Sequence, residues 1–206
     1  QLTIDRLKNK YSKQVDENET ENFKENLKII NNQIKQIEKL VNEFSDFARM
    51  PKPIFRENNL VNIIHENINL LKELDNSIDI TFKKDFEKIM LESDKEQISR
   101  VFLNLIKNSI ESINQKAQNN NNFSKKIAIE LTKDDNHIKI TLEDNGVGFS
   151  KLKNNIKDIL NPYFTTKKNG TGLGLSIVNK IINDHNGKID FIPIQNGAKI
   201  DIIFLK

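Results

Sequence analysis

The stretch VFLNLIKNSIE, residues 101–111, decides how the rest of the chain reads. It lies in a helical pattern that Ser93 or Asp94 opens as N-cap, with Glu96 or Gln97 at the capping-box offset. Ile98, Phe102, Leu105, Ser109 and Ile113 fall along one stripe, flanked by Val101 and Ile106, which predicts a buried face. Asn104 and Asn108 stand four apart, so both carboxamides share one side of the helix. Asn disfavours helix interiors, because its amide competes for backbone hydrogen bonds. Two of them inside an apolar run need a reason. A carboxamide oxygen is a neutral, hard ligand suited to Mg²⁺, so a metal–phosphate site is one reason. A solvated face on an Asn-rich chain is the other.

The bulk composition narrows the field. A chain of 206 residues holds one ordinary domain plus a smaller one. Its net charge of +3 is small and its acids and bases are interspersed, so nothing demands a nucleic-acid partner. With no Cys there is neither a disulfide framework nor a thiolate metal site. No apolar run approaches the roughly 20 residues of a membrane helix, so no membrane contact is expected of this stretch.

Upstream of the central helix, Ile4, Leu7 and Tyr11 suggest one helix, and polar residues 12–21 suggest a turn. Leu27, Ile30, Ile34, Ile37, Val41, Phe44 and Ala48 then alternate by three and four, the seam of a coiled coil or helical bundle. A lone two-helix hairpin buries such a seam poorly, whereas pairing with a second copy makes a four-helix bundle. Met50-Pro-Lys-Pro53 stops the helix and imposes an extended link, which divides the chain at residues 1–53 and 54–206. Residues 58–74 read as a helix, 78–82 and 88–91 as strands, 127–132 and 137–142 as a hairpin, and 156–160 as a short helical piece. Residues 173–186 read as a helix ended by Gly187, and 188–194 and 198–205 as closing strands. The sum is an α+β sandwich with helices on one face of a mixed sheet.

Three later stretches bear on the Asn pair. DNGVG, residues 144–148, follows a strand pattern. NPYFTTK, residues 161–167, precedes a glycine loop, and GTGLGL, residues 170–175, runs into a helix. In order and spacing the set resembles the N, G1, F and G2 boxes of the sensor histidine kinase ATP-binding domain. The resemblance covers nearly the whole chain and implies the GHKL (Bergerat) ATP-binding fold, preceded by a partial two-helix coiled-coil hairpin. EFSDFARMPKP, residues 43–53, also looks like the end of the dimerisation hairpin of nitrogen-regulatory (NtrB/NtrY-type) sensor kinases. Their phosphoacceptor motif, His-Glu followed by Asn-Pro, is absent. The expectation is therefore a chain that starts just downstream of the histidine it serves and does not phosphorylate itself. A membrane-anchored bacterial sensor with this part in the cytoplasm is implied.

The boxes have a chemical logic. The Asp144 carboxylate can accept the exocyclic amino group of adenine, a contact guanine does not offer; in the family the matching Asp selects the base. Gly146 and Gly148 let the backbone approach the ring and take positive φ. Alone, Asp-Asn-Gly is a plain turn. Gly170, Gly172 and Gly174 precede a helix, so Gly170, Thr171, Gly172, Leu173, Gly174 and Leu175 offer backbone N–H groups to a triphosphate. The spacing is not that of a P-loop. Lys167 or Lys168 supplies a cation to the outer phosphates, and Phe164 anchors a lid over residues 161–172. By resemblance Asn108 holds Mg²⁺ bridging the phosphates of ATP. Asn104 stands where gyrase, MutL and Hsp90-type relatives carry a catalytic Glu. An amide takes no proton from water, so the site would present the γ-phosphoryl to another nucleophile rather than hydrolyse ATP. The implied partners are a second copy of the hairpin and a response regulator. His65, His137 and His185 lack phosphoacceptor context and read as structural or solvated. A GHKL ATPase clamp, a serine kinase and a non-catalytic dimeric scaffold are the competing readings.

Overall fold

The computed structural model describes residues 6, 17–118, 122–149, 156–167 and 170–205. They group into two compact units, Gln1–Met50 with Thr166–Thr171, and Pro51–Thr165 with Gly172–Lys206.

In the first unit, α1 runs Glu17–Ala48. The helix thus begins inside the stretch that reads as a turn. Residues 12–21 hold no Gly or Pro to stop it. Of its heptad seam, Leu27 is buried, while Ile37 and Val41 are each 59% exposed and Ile30 and Phe44 nearly half exposed. The first of the two expected hairpin helices, around Ile4, Leu7 and Tyr11, lies outside the described residues.

The second unit holds β1 (Arg56–Asn59), α2 (Leu60–Leu74), β2 (Asp79–Lys84), β3 (Met90–Ser93) and α3 (Lys95–Ala117). Then come β4 (Lys126–Lys133), β5 (His137–Asp144), α4 (Gly174–Asp184), β6 (Gly187–Pro193) and β7 (Ala198–Leu205), with a 3₁₀ turn at Ile156–Leu160. Five strands form one sheet in the order β2-β4-β5-β7-β6, and β1 pairs with β3 as a separate ribbon. β2 and β4 are parallel and the other neighbours antiparallel, so the sheet is mixed. Strand residues alternate as the sequence predicts. Ile127, Ile129 and Leu131, then Ile138, Ile140 and Leu142, then Ile200, Ile202 and Phe204 are buried. The other face carries ion pairs such as Lys83–Glu130 (2.7 Å) and Lys139–Asp201 (2.8 Å).

The central helix α3 buries its whole predicted stripe, Ile98 to Ile113. Of the two candidate caps it uses Asp94, whose Oδ1 accepts the N–H groups of Glu96 (3.0 Å) and Gln97 (3.1 Å). Gln97 does not close a capping box; its amide donates to the Pro51 carbonyl at 3.0 Å. Two boundaries shift from the sequence reading. Asn58 and Asn59 belong to β1, because the Asn59 side chain is the N-cap of α2 and accepts the Val61 N–H at 3.2 Å. At the end of α4 the left-handed residue is Asn186 (φ 55°), not Gly187. Gly187 instead opens β6, where a Cβ would lie 2.8 Å from the Phe204 ring.

Candidate functional site

The last residue of β5, Asp144, is only 4% exposed. Its Oδ1 accepts the Gly146 N–H at 2.9 Å and its Oδ2 the Ser109 hydroxyl at 2.8 Å. Burial pushes its carboxyl pKa above the ordinary value. The Gly146 N–H, the Ser109 hydroxyl, the Ala198 N–H and the Lys116 ammonium oppose that rise but do not cancel it.

The loop after Asp144 is clamped along one face of α3. The Ser112 hydroxyl oxygen accepts the Val147 N–H at 3.0 Å. Lys116 donates to the carbonyls of Asn145 (2.9 Å) and Gly146 (3.0 Å), and its ammonium lies 5.2 Å from the centre of the Phe123 ring. Ser109, Ser112 and Lys116 follow the helical i, i+3, i+7 spacing, so one face of α3 fixes the whole loop. The two glycines differ in role. Gly148 has φ 64°, as the sequence suggests. Gly146 does not take positive φ; it is required because a Cβ would sit 2.8 Å from the Ile113 backbone nitrogen of α3. Behind the loop, Gly197 (φ 118°) presses its backbone against that of Asp144, where a Cβ would fall 2.7 Å from the Asp144 carbonyl carbon.

Asn104 and Asn108 are both half-buried on α3. The Asn104 Nδ2 donates back to the Arg100 carbonyl at 2.8 Å. Its oxygen faces the start of α4, 3.1 Å from where a Cβ on Gly174 would be. Any side chain there would crowd this carboxamide. Gly172 (φ 72°) accepts the Tyr163 N–H at 3.0 Å on its carbonyl, and a Cβ on it would lie 2.7 Å from the Phe164 nitrogen. The segment holding Phe164 is thereby tied to the glycine loop. Leu173 is fully buried and supplies no side-chain cap to α4, whose second residue, Leu175, is half-buried. Lys167, Gly170 and Thr171 belong to the first unit. There the Gly170 N–H donates to the Lys167 carbonyl at 3.2 Å, and the Thr171 hydroxyl to the Glu43 carboxylate. Lys168 lies outside the described residues.

Four residues that the sequence did not single out for the site support it: Ser112, Lys116, Gly197 and His185. His185 is buried; its Nδ1 donates to the Ile181 carbonyl (2.8 Å), so Nε2 is the acceptor for the Asp94 N–H (3.0 Å). The imidazole thus joins the end of α4 to the cap of α3, with the Phe55 ring 5.1 Å away. Burial opposes ionisation of Asp94. The N–H groups of Ile54, Gln97 and Glu96 outweigh it and hold the carboxyl below its usual pKa. His65 meets Phe82 edge-on and His137 lies beside Asp134 at a hairpin turn, consistent with structural roles.

The donor set fits a divalent cation held mostly through a bound triphosphate. Asn108 offers a hard carboxamide oxygen, and the described residues contain no group of three His, Cys, Asp or Glu that would cage a metal alone. No helix among the described residues is long and apolar enough to cross a membrane.

Comparisons with known proteins agree with this geometry. The family model for histidine kinase-, DNA gyrase B- and HSP90-like ATPases matches residues 93–206. An NtrY-like sensor histidine kinase of Rickettsia bellii is 34% identical over 98% of this chain, and the nitrogen regulation protein NtrY of Azorhizobium caulinodans is 31% identical over 96%. The chain spans 32% and 25% of those two relatives. The nucleotide-free catalytic domain of histidine kinase ThkA superposes with a TM-score of 0.63 at 33% identity, covering 74% of this chain and 96% of that one. ThkA in complex with the response regulator TrrA gives a TM-score of 0.71 at 29% identity over 99% of this chain and 57% of that one. The chain belongs to the histidine kinase-, DNA gyrase B- and HSP90-like ATPase family, and within it to the catalytic domains of sensor histidine kinases.

Proposed function

We propose that the chain is the ATP-binding catalytic portion of a nitrogen-regulatory type of sensor histidine kinase. It moves the γ-phosphoryl of ATP to a histidine of a dimerisation hairpin, from which it passes to a response-regulator aspartate. The observation that carries this reading is Asp144, a carboxylate buried at a strand end and held by three separate elements. Three donors use most of its roughly four lone-pair sites, which leaves one for an adenine amino group. Gly146 and Gly148 keep the loop free of side chains beside it.

Asn104 favours a kinase over a hydrolase. Its amide nitrogen is committed to the Arg100 carbonyl, and its oxygen is no base toward water. Asn108 would hold Mg²⁺, which when bound would supply charge neutralisation to the phosphates. The chain's own contribution is positioning. Asp144 orients the base, Asn108 serves the phosphates, and the backbone of residues 172–175 at the start of α4 offers them N–H groups, with Phe164 as an apolar anchor. Residues 1–53 contain no histidine, so the acceptor comes from outside this chain. Residues 1–53 then act as part of the dimerisation hairpin and 54–206 as the catalytic domain, with Met50–Pro53 as the hinge. Burying the half-exposed seam residues Ile30, Ile37, Val41 and Phe44 against a second copy would supply about 1 kcal/mol each, roughly half the value for a fully exposed side chain. The match to a kinase solved with its response regulator supports that class of partner.

Calorimetry with a non-hydrolysable ATP analogue tests the reading. The chain is expected to bind in the micromolar range, more tightly with Mg²⁺ than without. Asn108→Ala is expected to remove most of the Mg²⁺ dependence and to weaken Mg²⁺-supported binding about tenfold, as loss of one metal ligand would. Equal Mg²⁺ dependence in both proteins would remove Asn108 from the metal site.

A further inference from the structure

Asp144 does not act alone. Its Oδ2 is held by a hydroxyl from α3, 35 positions earlier in the chain, at 2.8 Å. Ser109 is itself 3% exposed, so this hydroxyl has no bulk water to turn to. Ser109 lies one residue after Asn108, on the face of α3 that meets the Asp144 loop rather than on the Asn face. The same helix therefore presents the proposed metal ligand and the group that holds the base-reading carboxylate.

We propose that Ser109 is a positioning residue for purine recognition, fixing Oδ2 of Asp144 so that the carboxylate presents its remaining lone pair to a 6-amino group. The inference rests on Asp144 being the adenine acceptor. Two consequences follow from the geometry. A carboxylate pinned at both oxygens, by Gly146 on Oδ1 and Ser109 on Oδ2, cannot rotate to suit a 6-oxo purine. A hydroxyl donor also favours the ionised carboxylate, which is the better acceptor for an amino group. The charged group acting on Asp144 is Lys116, from the same helix as Ser109; β7 contributes the Ala198 N–H and the loop the Gly146 N–H. Lys116 is committed to the loop carbonyls, so Ser109 is the side chain that contacts the carboxylate directly.

The sign of the pH effect is definite. Burial raises the Asp144 pKa and Ser109 lowers it. Removing the hydroxyl therefore moves the pKa further up, and the ionised form is lost at a higher pH on acidification. The test is Ser109→Ala, which suits a helix interior. Two readouts are needed. One is the affinity for a non-hydrolysable ATP analogue and its inosine counterpart across pH 5 to 8. The other is the carboxyl-carbon NMR titration of Asp144 in the nucleotide-free protein. The expected result is about tenfold weaker ATP-analogue binding at neutral pH, from loss of one hydrogen bond to a charged group. The acid limb of the binding profile should move up in pH, with the carboxyl titration moving the same way. The adenine-to-hypoxanthine preference should narrow. An unmoved titration and an unmoved acid limb would overturn the proposal, even if affinity fell. If the unmodified chain binds no adenine nucleotide, the adenine reading fails first, and the proposal fails with it whatever the carboxyl titration shows.

Discussion

Asp144→Asn is expected to lower affinity for an ATP analogue by about two orders of magnitude, the scale of losing one hydrogen bond to a charged group. The substitution keeps shape and reverses one edge. An Asn at this position can accept the Gly146 N–H on its oxygen and donate its amide to the Ser109 hydroxyl, which rotates to accept. The amide's second hydrogen then faces the lone-pair position left for adenine, and two donors meet. The fold should hardly notice. Because the native pKa of Asp144 is raised, the native state binds its proton more tightly than the unfolded chain does. Ionised Asp144 therefore costs stability as pH rises from the ordinary carboxylate range through the native pKa, and the cost persists above it. A neutral amide escapes that cost. The prediction is lost binding with an unchanged or slightly raised melting temperature, measured by calorimetry and thermal denaturation. Lost binding with a large fall in melting temperature would mean that Asp144 is a structural group.

Gly197→Ala should do the reverse and destroy stability and binding together. Gly197 has φ 118°, a region L-residues rarely adopt, and its Cβ would run into the Asp144 backbone. No flexible side chain is there to yield; the obstacle is the main chain at the end of β5. Gly148 presses on the same point, with its own Cβ directed 2.7 Å from the Gly197 carbonyl carbon. The β6–β7 turn and the Asp144 loop are therefore packed backbone on backbone. Strain and overpacking together should cost about 3 to 5 kcal/mol, read as a fall in the denaturant midpoint. Nucleotide binding should be lost with it, because the displaced residue is Asp144. A Gly197→Ala protein with the original midpoint would show that the turn and the loop are not in contact.

Much of this was legible in the sequence, for a physical reason. The stripes of α3 and α4 and the alternation of β4, β5 and β7 are set by neighbours within a few residues, and periodicity reports them directly. The order of the four boxes did the same for the family. What stayed hidden depends on partners far apart along the chain. Nothing local says that Ser109, Ser112 and Lys116 face a loop about 30 residues onward, or that His185 reaches the Asp94 cap 91 positions away. Gly146 and Gly148 look alike in DNGVG, yet one makes room for α3 and the other takes a left-handed φ. The start of α1 was misread because polarity in residues 12–21 suggested a turn, whereas a polar stretch without a breaker also begins a helix. Asn59 looked like part of a helix because a cap sits beside the pattern it opens.

The claim at the centre is that this site hands the γ-phosphoryl of ATP to a histidine and does not spend it on water. The direct measurement mixes the chain with γ-labelled ATP, Mg²⁺ and a separate hairpin bearing the acceptor histidine, then follows label on protein and as free phosphate. The account predicts label on the hairpin that is acid-labile, as a phosphohistidine is, with little free phosphate. It also predicts that Asp144→Asn abolishes the transfer. Rapid release of free phosphate with an unlabelled hairpin would contradict it and make the chain an ATPase.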